Sequence, residues 1–126
     1  MPETILVVDD VDQNRFLLQE VLTSHGFTVL QAKDGAEGVA MAREHKPALI
    51  LMDIQMPVMN GLEAGRLLRS DPLTKNIKIL ALSSFSSLDD KDNFFGTGFD
   101  GYIDKPFNIR ELPKIIMQHL LAGKNV

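Results

Sequence analysis

Short apolar runs alternate with segments of helical character along the whole of this 126-residue chain. Each run lies between polar or turn residues, which is typical of a strand that is buried on both faces. Strict alternation of this kind predicts a parallel sheet covered by helices on both sides, a doubly wound α/β fold. The five predicted strands are residues 5–9, 28–32, 49–53, 77–82 and 101–104.

Local signals predict where the intervening helices begin and end. His25 and Gly26 stop the first helix, because a cationic residue and a glycine are both favoured at a helix C-terminus. The segments 34–37 and 108–111 have the spacing of a capping box, which predicts two helix starts. The predicted helix over residues 88–97 is rich in Asp, Asn and Gly, all poor helix formers, so we expect it to have low stability.

The composition bounds the class of protein. A hydrophobic content of 44% with 24% charged residues is ordinary for one globular domain. The net charge is −4 and the basic residues are scattered, which argues against nucleic-acid binding. There is no cysteine for a disulfide or for thiol chemistry. With neither an apolar stretch of about 20 residues nor a signal peptide, the sequence predicts a cytoplasmic protein without a membrane segment.

Polar side chains follow or end four of the five predicted strands. They are Asp9 and Asp10, then Asp53, then Ser83, then Lys105. Ligands of open parallel sheets bind beyond the carboxyl ends of the strands, so we expect these residues to meet there. Three carboxylates in one place repel one another unless a hard divalent cation lies among them, which predicts a magnesium site.

Acids, a hydroxyl and one cation are also the groups that phosphoryl transfer requires. Asp53 is the candidate nucleophile, because aspartates can form acyl phosphates. Taken singly, each of these residues is most simply a solvated residue at a strand end. Five of them at matching strand ends are better explained by a shared function.

The chain resembles the receiver domain of bacterial two-component response regulators from Ile5 to about Leu121. The resemblance implies one receiver domain over residues 1–126 without an output domain. It also implies a flavodoxin-like fold of five strands in the order 2-1-3-4-5 with five helices. The matching motifs are Val7-Val8-Asp9-Asp10, the run from Leu51 through Asp53 to Gly61, Ala81-Leu82-Ser83, and Gly101-Tyr102-Ile103-Asp104-Lys105-Pro106-Phe107.

The resemblance further implies which residues carry the chemistry. Asp53 would accept a phosphoryl group from a sensor histidine kinase or a histidine-phosphotransfer protein. Asp10, Asp53 and the backbone carbonyl of Gln55 would bind Mg²⁺, with Asp9 acting through a metal-bound water. Lys105 would pair with the phosphoryl group.

The same resemblance implies how the signal leaves the site. Ser83 would turn toward the phosphoryl oxygen, and Tyr102 would turn inward as Ser83 moves. The predicted helix over 88–97 would present the changed face to a downstream protein target. Gln55 and Phe85 stand at positions that tune the lifetime of the phosphorylated form, and we expect the bulky Phe85 to make loss of the phosphoryl group slow. The chain would be a monomer or a phosphorylation-dependent dimer.

Two other interpretations keep parts of this chemistry. The chain could be the receiver fragment of a hybrid histidine kinase or of a multidomain regulator. Asn14-Arg15 resembles receivers of that kind, which phosphotransfer proteins serve by docking on the first helix. An aspartate-dependent phosphohydrolase is less favoured, because such enzymes carry a second Asp two residues after the nucleophile, whereas Asp9 is followed by Asp10 and Val11. We therefore expect no enzyme of metabolism, but a protein that catalyses only its own phosphorylation and dephosphorylation.

Overall fold

The computed structural model describes residues 3–53, 61–83, 99–104 and 108–122. Within these ranges, none of the helices has the length and apolar character that crossing a membrane requires. The predicted helix over 88–97 lies outside them, so the last helix is α4 in the numbering used here. The elements are β1 (Thr4–Val8), α1 (Asp12–Ser24), β2 (Thr28–Ala32), α2 (Gly35–His45), β3 (Leu49–Asp53), α3 (Gly61–Ser70), β4 (Lys78–Ser83), β5 (Gly101–Asp104) and α4 (Leu112–Ala122).

The five strands form one parallel sheet in the order β2-β1-β3-β4-β5, as expected. β1 lies between β2 and β3, and Val8 at its end pairs with Ala32 on one side and with Met52 on the other. Because all strands run the same way, their carboxyl ends share one edge. Asp9 and Asp53 each come one residue after the Val8–Met52 pair, so the register places them at the same height.

Two apolar layers hold the helices against the sheet. Alternate residues of a strand point to opposite faces, so Ile5 and Val7 face one layer while Leu6 and Val8 face the other. All four are fully buried. The first layer includes Leu18 and Leu22 of α1 and Leu112, Ile116 and Leu120 of α4; the second includes Ala42 of α2 and Ala64 and Leu68 of α3.

The helix ends follow the local sequence signals, with one exception. α1 ends at Ser24, and Gly26 has φ 91°, a conformation that glycine adopts at little cost. The carboxylate of Asp34 accepts a hydrogen bond from the Glu37 N–H at 2.8 Å and so caps α2. The side-chain bond of the capping box predicted over 108–111 goes to a different donor, because Asn108 Oδ1 accepts from the Arg110 N–H at 2.9 Å and not from Glu111. The Asn108 carbonyl accepts from the Leu112 N–H at 3.1 Å, and α4 begins at Leu112, later than the box predicts.

At the edge of the sheet opposite to Asp9 and Asp53, α3 is joined to the residues before β4 and β5 by hydrogen bonds. Arg69 donates to Asp100 Oδ2 at 2.5 Å and to the Ile77 carbonyl at 2.6 Å. Asp100 Oδ2 also accepts from the Ile79 N–H at 2.8 Å, so this acid has a structural role at the end of the sheet opposite to Asp9 and Asp53. One turn before Arg69, Gly65 lies directly against the ring of Phe99.

Candidate functional site

Three carboxylates meet at the carboxyl edge of the sheet. Asp9 follows β1 and is fully buried, and Asp53 ends β3 with 3% of its surface exposed. Asp10 is exposed beside them. One oxygen from each of the three side chains lies within 4.8 Å of those of the other two. The parallel register brings these acids together although more than forty positions of sequence separate Asp10 from Asp53.

The carboxylate of Asp9 is held by the residues that follow it. Its Oδ1 accepts from the Val11 N–H at 2.9 Å, and its Oδ2 accepts from Asn14 Nδ2 at 3.3 Å. The Asp9 N–H donates to the Ala32 carbonyl at 3.1 Å, which extends the pairing of β1 and β2 by one residue. Asp9 is therefore fixed through both its backbone and its side chain.

Arg15 contacts the acidic site, a role that reasoning from the sequence missed, since there Asn14-Arg15 indicated only a docking surface. It is 9% exposed, and its Nη1 donates to the Asp9 carbonyl at 2.7 Å. Its Nε donates to Gln31 Oε1 at 3.2 Å, and its Nη2 pairs with Asp12. A signal was present, because positions 15, 18 and 22 share one face of α1 and the other two are core leucines. A cation at such a position requires buried partners.

The donor set fits Mg²⁺. This ion takes hard oxygen ligands in an octahedron, where neighbouring and opposite ligands lie roughly 3 to 4 Å apart, and it keeps several of its waters. The separation of the three carboxylates is close to that range. Without a cation, three acids at this distance repel one another, and two of them are buried where solvent screens little.

The sequence matches the family model described as the response regulator receiver domain over residues 5–117. The chain belongs to this family. It is a receiver domain of two-component signalling.

Relatives and solved structures agree with this assignment. The polar-differentiation response regulator DivK of Brucella anthropi is 32% identical over 120 residues, which are 95% of this chain and 98% of DivK. The chemotaxis protein CheY4 of Vibrio cholerae has a TM-score of 0.87 at 31% identity, over 94% of this chain and 98% of CheY4. A third similar structure is the receiver domain of a sensor histidine kinase from Pseudomonas aeruginosa, which was solved with a magnesium ion coordinated in its active-site cleft. It has a TM-score of 0.87 at 30% identity, over 95% of this chain and 98% of that receiver domain.

Of the other predicted site residues of this receiver, the structure describes Ser83 and Tyr102. Ser83 is the last residue of β4, and it pairs in register with Asp104, the last residue of β5. Tyr102 lies on β5 opposite Ala81 and is half-buried, on the face of the sheet opposite to Ile103. The predicted residues Gln55, Phe85 and Lys105 lie outside the described residues.

Proposed function

We propose that this receiver is a phosphoacceptor switch whose acceptor is Asp53. The observation that carries the proposal is the convergence of Asp9, Asp10 and Asp53 at the carboxyl edge of the sheet. A nucleophilic carboxylate beside two further acids is suited to a reaction that a divalent cation assists. The phosphoryl donor is a phosphohistidine on a sensor histidine kinase or on a histidine-phosphotransfer protein.

In the proposed reaction, a carboxylate oxygen of Asp53 attacks the phosphorus of the phosphohistidine. A P–O bond forms, the P–N bond breaks, and the imidazole nitrogen takes up a proton as it leaves. The product on Asp53 is an acyl phosphate. Lys105 neutralises a phosphoryl oxygen and the Ser83 hydroxyl donates a hydrogen bond to another, as expected for groups that stabilise charge on a transferring phosphoryl group.

Mg²⁺ supplies further charge neutralisation when it is bound. We assign Asp10, Asp53 and the Gln55 backbone carbonyl as its ligands, with Asp9 acting through a water. Support for the indirect role of Asp9 comes from its hydrogen bonds, since both of its carboxylate oxygens already accept from Val11 and Asn14. Few protein ligands and several retained waters are the usual state of this ion in proteins.

The proposed output is a change of surface around β5. Ser83 ends β4 and Tyr102 lies on the neighbouring strand, so movement of the first is transmitted through a short distance in the sheet. Ser83, Tyr102 and the predicted helix over 88–97 would present an altered face to a downstream protein. The proposed receiver turns over no metabolite, is cytoplasmic, binds no nucleic acid, and is a monomer or dimerises upon phosphorylation.

We propose that the receiver acts as a separate protein without an output domain. Support comes from DivK, of which this chain covers 98%. The competing proposal, a receiver joined to a hybrid kinase, is supported by the kinase receiver from Pseudomonas aeruginosa. An antibody raised against this chain separates the two, because a band near 14.0 kDa in a lysate of the source cells supports a separate protein and a much larger band supports the kinase.

The experiment that tests the phosphoacceptor is intact-mass analysis after incubation with acetyl phosphate, with and without Mg²⁺. We expect the gain of one phosphoryl group in the presence of Mg²⁺ and no gain in Asp53→Asn. Asp71→Asn is the matched control, because Asp71 follows α3 and pairs with Arg43 far from the acids. A gain that survives in Asp53→Asn places the acceptor elsewhere and overturns the assignment.

A further inference from the structure

We propose that Arg15 is a positioning residue for the acidic site: its guanidinium holds the backbone of Asp9 so that the two acids after β1 face Asp53. The guanidinium sets the geometry of the acids even without a metal, and its effect on Mg²⁺ binding rests on the proposed function.

The contacts of Arg15 join three separate elements at one point. Its Nη1 reaches the Asp9 carbonyl after β1, its Nε reaches Gln31 on β2, and its Nη2 pairs with Asp12 in the first turn of α1. Gln31 is itself held, because its amide donates to Gln19 on α1. The guanidinium therefore sets the position of the Asp9 peptide relative to both the edge of the sheet and the first helix.

The chemistry of the guanidinium suits this role. It is planar and rigid, and it presents five N–H donors in a fixed fork, so several acceptors can be satisfied in one geometry. Its side chain is 11% exposed, and a charge so well buried is costly unless its hydrogen bonds are made. A lysine at this position would keep the charge but would lack the fork.

Fixing the Asp9 carbonyl also fixes the peptide that leads to Asp10. Asp9 is thus held at its carbonyl by Arg15, at Oδ1 by Val11 and at Oδ2 by Asn14. Residues that orient a ligand without touching the metal commonly change metal affinity by about 10- to 100-fold when they are replaced. We expect Arg15 to act in this way.

A role in positioning and a role through charge predict opposite results for Arg15→Met. Removing a positive charge that contacts Asp9 strengthens the attraction of the site for a cation. Loss of position weakens binding, because the acids no longer share one geometry. The direction of the change in Mg²⁺ affinity therefore distinguishes the two roles.

The test uses the full chain and two readouts. In metal-free protein, the amide resonance of Val11 reports on the Asp9 carboxylate, because this N–H donates to Asp9 Oδ1 at 2.9 Å. Titration with Mg²⁺, followed by amide resonances and by calorimetry, then gives the dissociation constant. For Arg15→Met and Arg15→Lys we expect a displaced Val11 resonance and a dissociation constant raised about tenfold in the first variant.

Two further variants keep the test decisive. Arg43→Met removes one positive charge and the 2.7 Å ion pair with Asp71 far from the site, and we expect both readouts to stay as in the wild type. Gln31→Leu keeps Arg15 but removes the acceptor of its Nε, so we expect a smaller displacement of the Val11 resonance and a smaller rise of the dissociation constant. This variant replaces Arg15→Met if Arg15→Met does not fold.

Tighter or unchanged Mg²⁺ binding in Arg15→Met, or full restoration of both readouts by Arg15→Lys, overturns the positioning role. A wild-type chain that binds no Mg²⁺ refutes the proposed metal chemistry instead. In that case the Val11 resonance still decides the role of Arg15, because it needs no metal.

Discussion

Asn14 and Phe16 lie two positions apart on α1 but face different surroundings. Asn14 donates to the carboxylate of Asp9 at 3.3 Å, whereas the side chain of Phe16 is turned to solvent and Phe16 is 61% exposed. Both lie on the first helix, where a phosphotransfer protein is expected to dock. The contacts separate them, since Asn14 also supports the acidic site and Phe16 is free to serve a partner.

We therefore expect Phe16→Ala to lower the rate of phosphoryl transfer from a histidine-phosphotransfer protein without changing the rate with acetyl phosphate. Asn14→Ala should lower both rates, because it removes a hydrogen bond from Asp9. Rapid-quench measurement of phosphorylated receiver with each donor gives the two rates. Equal losses with both donors in Phe16→Ala would show that this residue acts on the site and not on docking.

Phe85 is predicted to slow the loss of the phosphoryl group from Asp53. A bulky apolar side chain beside the acyl phosphate would exclude the attacking water and offer it no hydrogen bond. Phe85→Glu should shorten the lifetime of the phosphorylated form severalfold, while Phe85→Leu, which stays apolar, should change it much less. The decay of the phosphorylated mass with time measures both, and an unchanged lifetime in Phe85→Glu contradicts the prediction.

Packing between α3 and Phe99, two residues before β5, depends on one glycine. A Cβ added at Gly65 would lie 2.2 Å from Phe99 Cε1, far inside van der Waals contact. Alanine is the better helix former by about 1 kcal/mol, but crowding in a packed core typically costs about 1–3 kcal/mol. The steric cost of the contact with Phe99 should therefore exceed the gain in helix propensity.

Gly65→Ala is thus expected to lower the free energy of unfolding by about 1 kcal/mol, measured by urea denaturation. In a Phe99→Leu background the same substitution should cost less, because the smaller side chain leaves room for the added methyl group. A Gly65→Ala chain that is more stable than the wild type would show that the helix propensity dominates.

Elements with strong local patterns could be predicted from the sequence, and contacts between distant elements could not. The strands agree to within one residue at each end, because each is a compact apolar run bounded by polar residues. The bond from Glu37 to Asp34 was predicted correctly, whereas the Asn108 side chain accepts from Arg110 and not from Glu111, and α4 begins at Leu112. The sequence identified Asp9, Asp10 and Asp53, but the bond from Arg15 to Gln31 joins α1 to β2 and has no local signature.

Across the whole molecule, the acidic site opposes folding when no cation is present. Three carboxylates converge and two are buried, so their repulsion raises the free energy of the metal-free fold. Asp53→Asn should therefore raise the melting temperature of the metal-free protein by a few degrees, which corresponds to about 1 kcal/mol. Magnesium should raise the melting temperature of the wild type and much less that of the variant.

Differential scanning calorimetry with chelator and with excess Mg²⁺ measures these shifts. Asp71→Asn serves as the control that removes one acid without touching the cluster. A metal-free Asp53→Asn chain that melts below the wild type would mean that the contacts of this acid stabilise the fold more than its repulsion destabilises it.

The pairing of β3 with β4 divides the molecule by chain order. All three clustered acids come from the first 53 residues, whereas Ser83, Tyr102 and Lys105 come from the later ones. Under the assigned roles, Mg²⁺ is bound by residues no later than Gln55, and the phosphoryl group on Asp53 is contacted by Ser83 and Lys105 from the later part of the chain. Phosphorylation therefore adds reversible contacts between Asp53 on β3 and residues that end β4 or follow β5. An early-synthesised part receives the signal, and a late-synthesised part carries it to the partner.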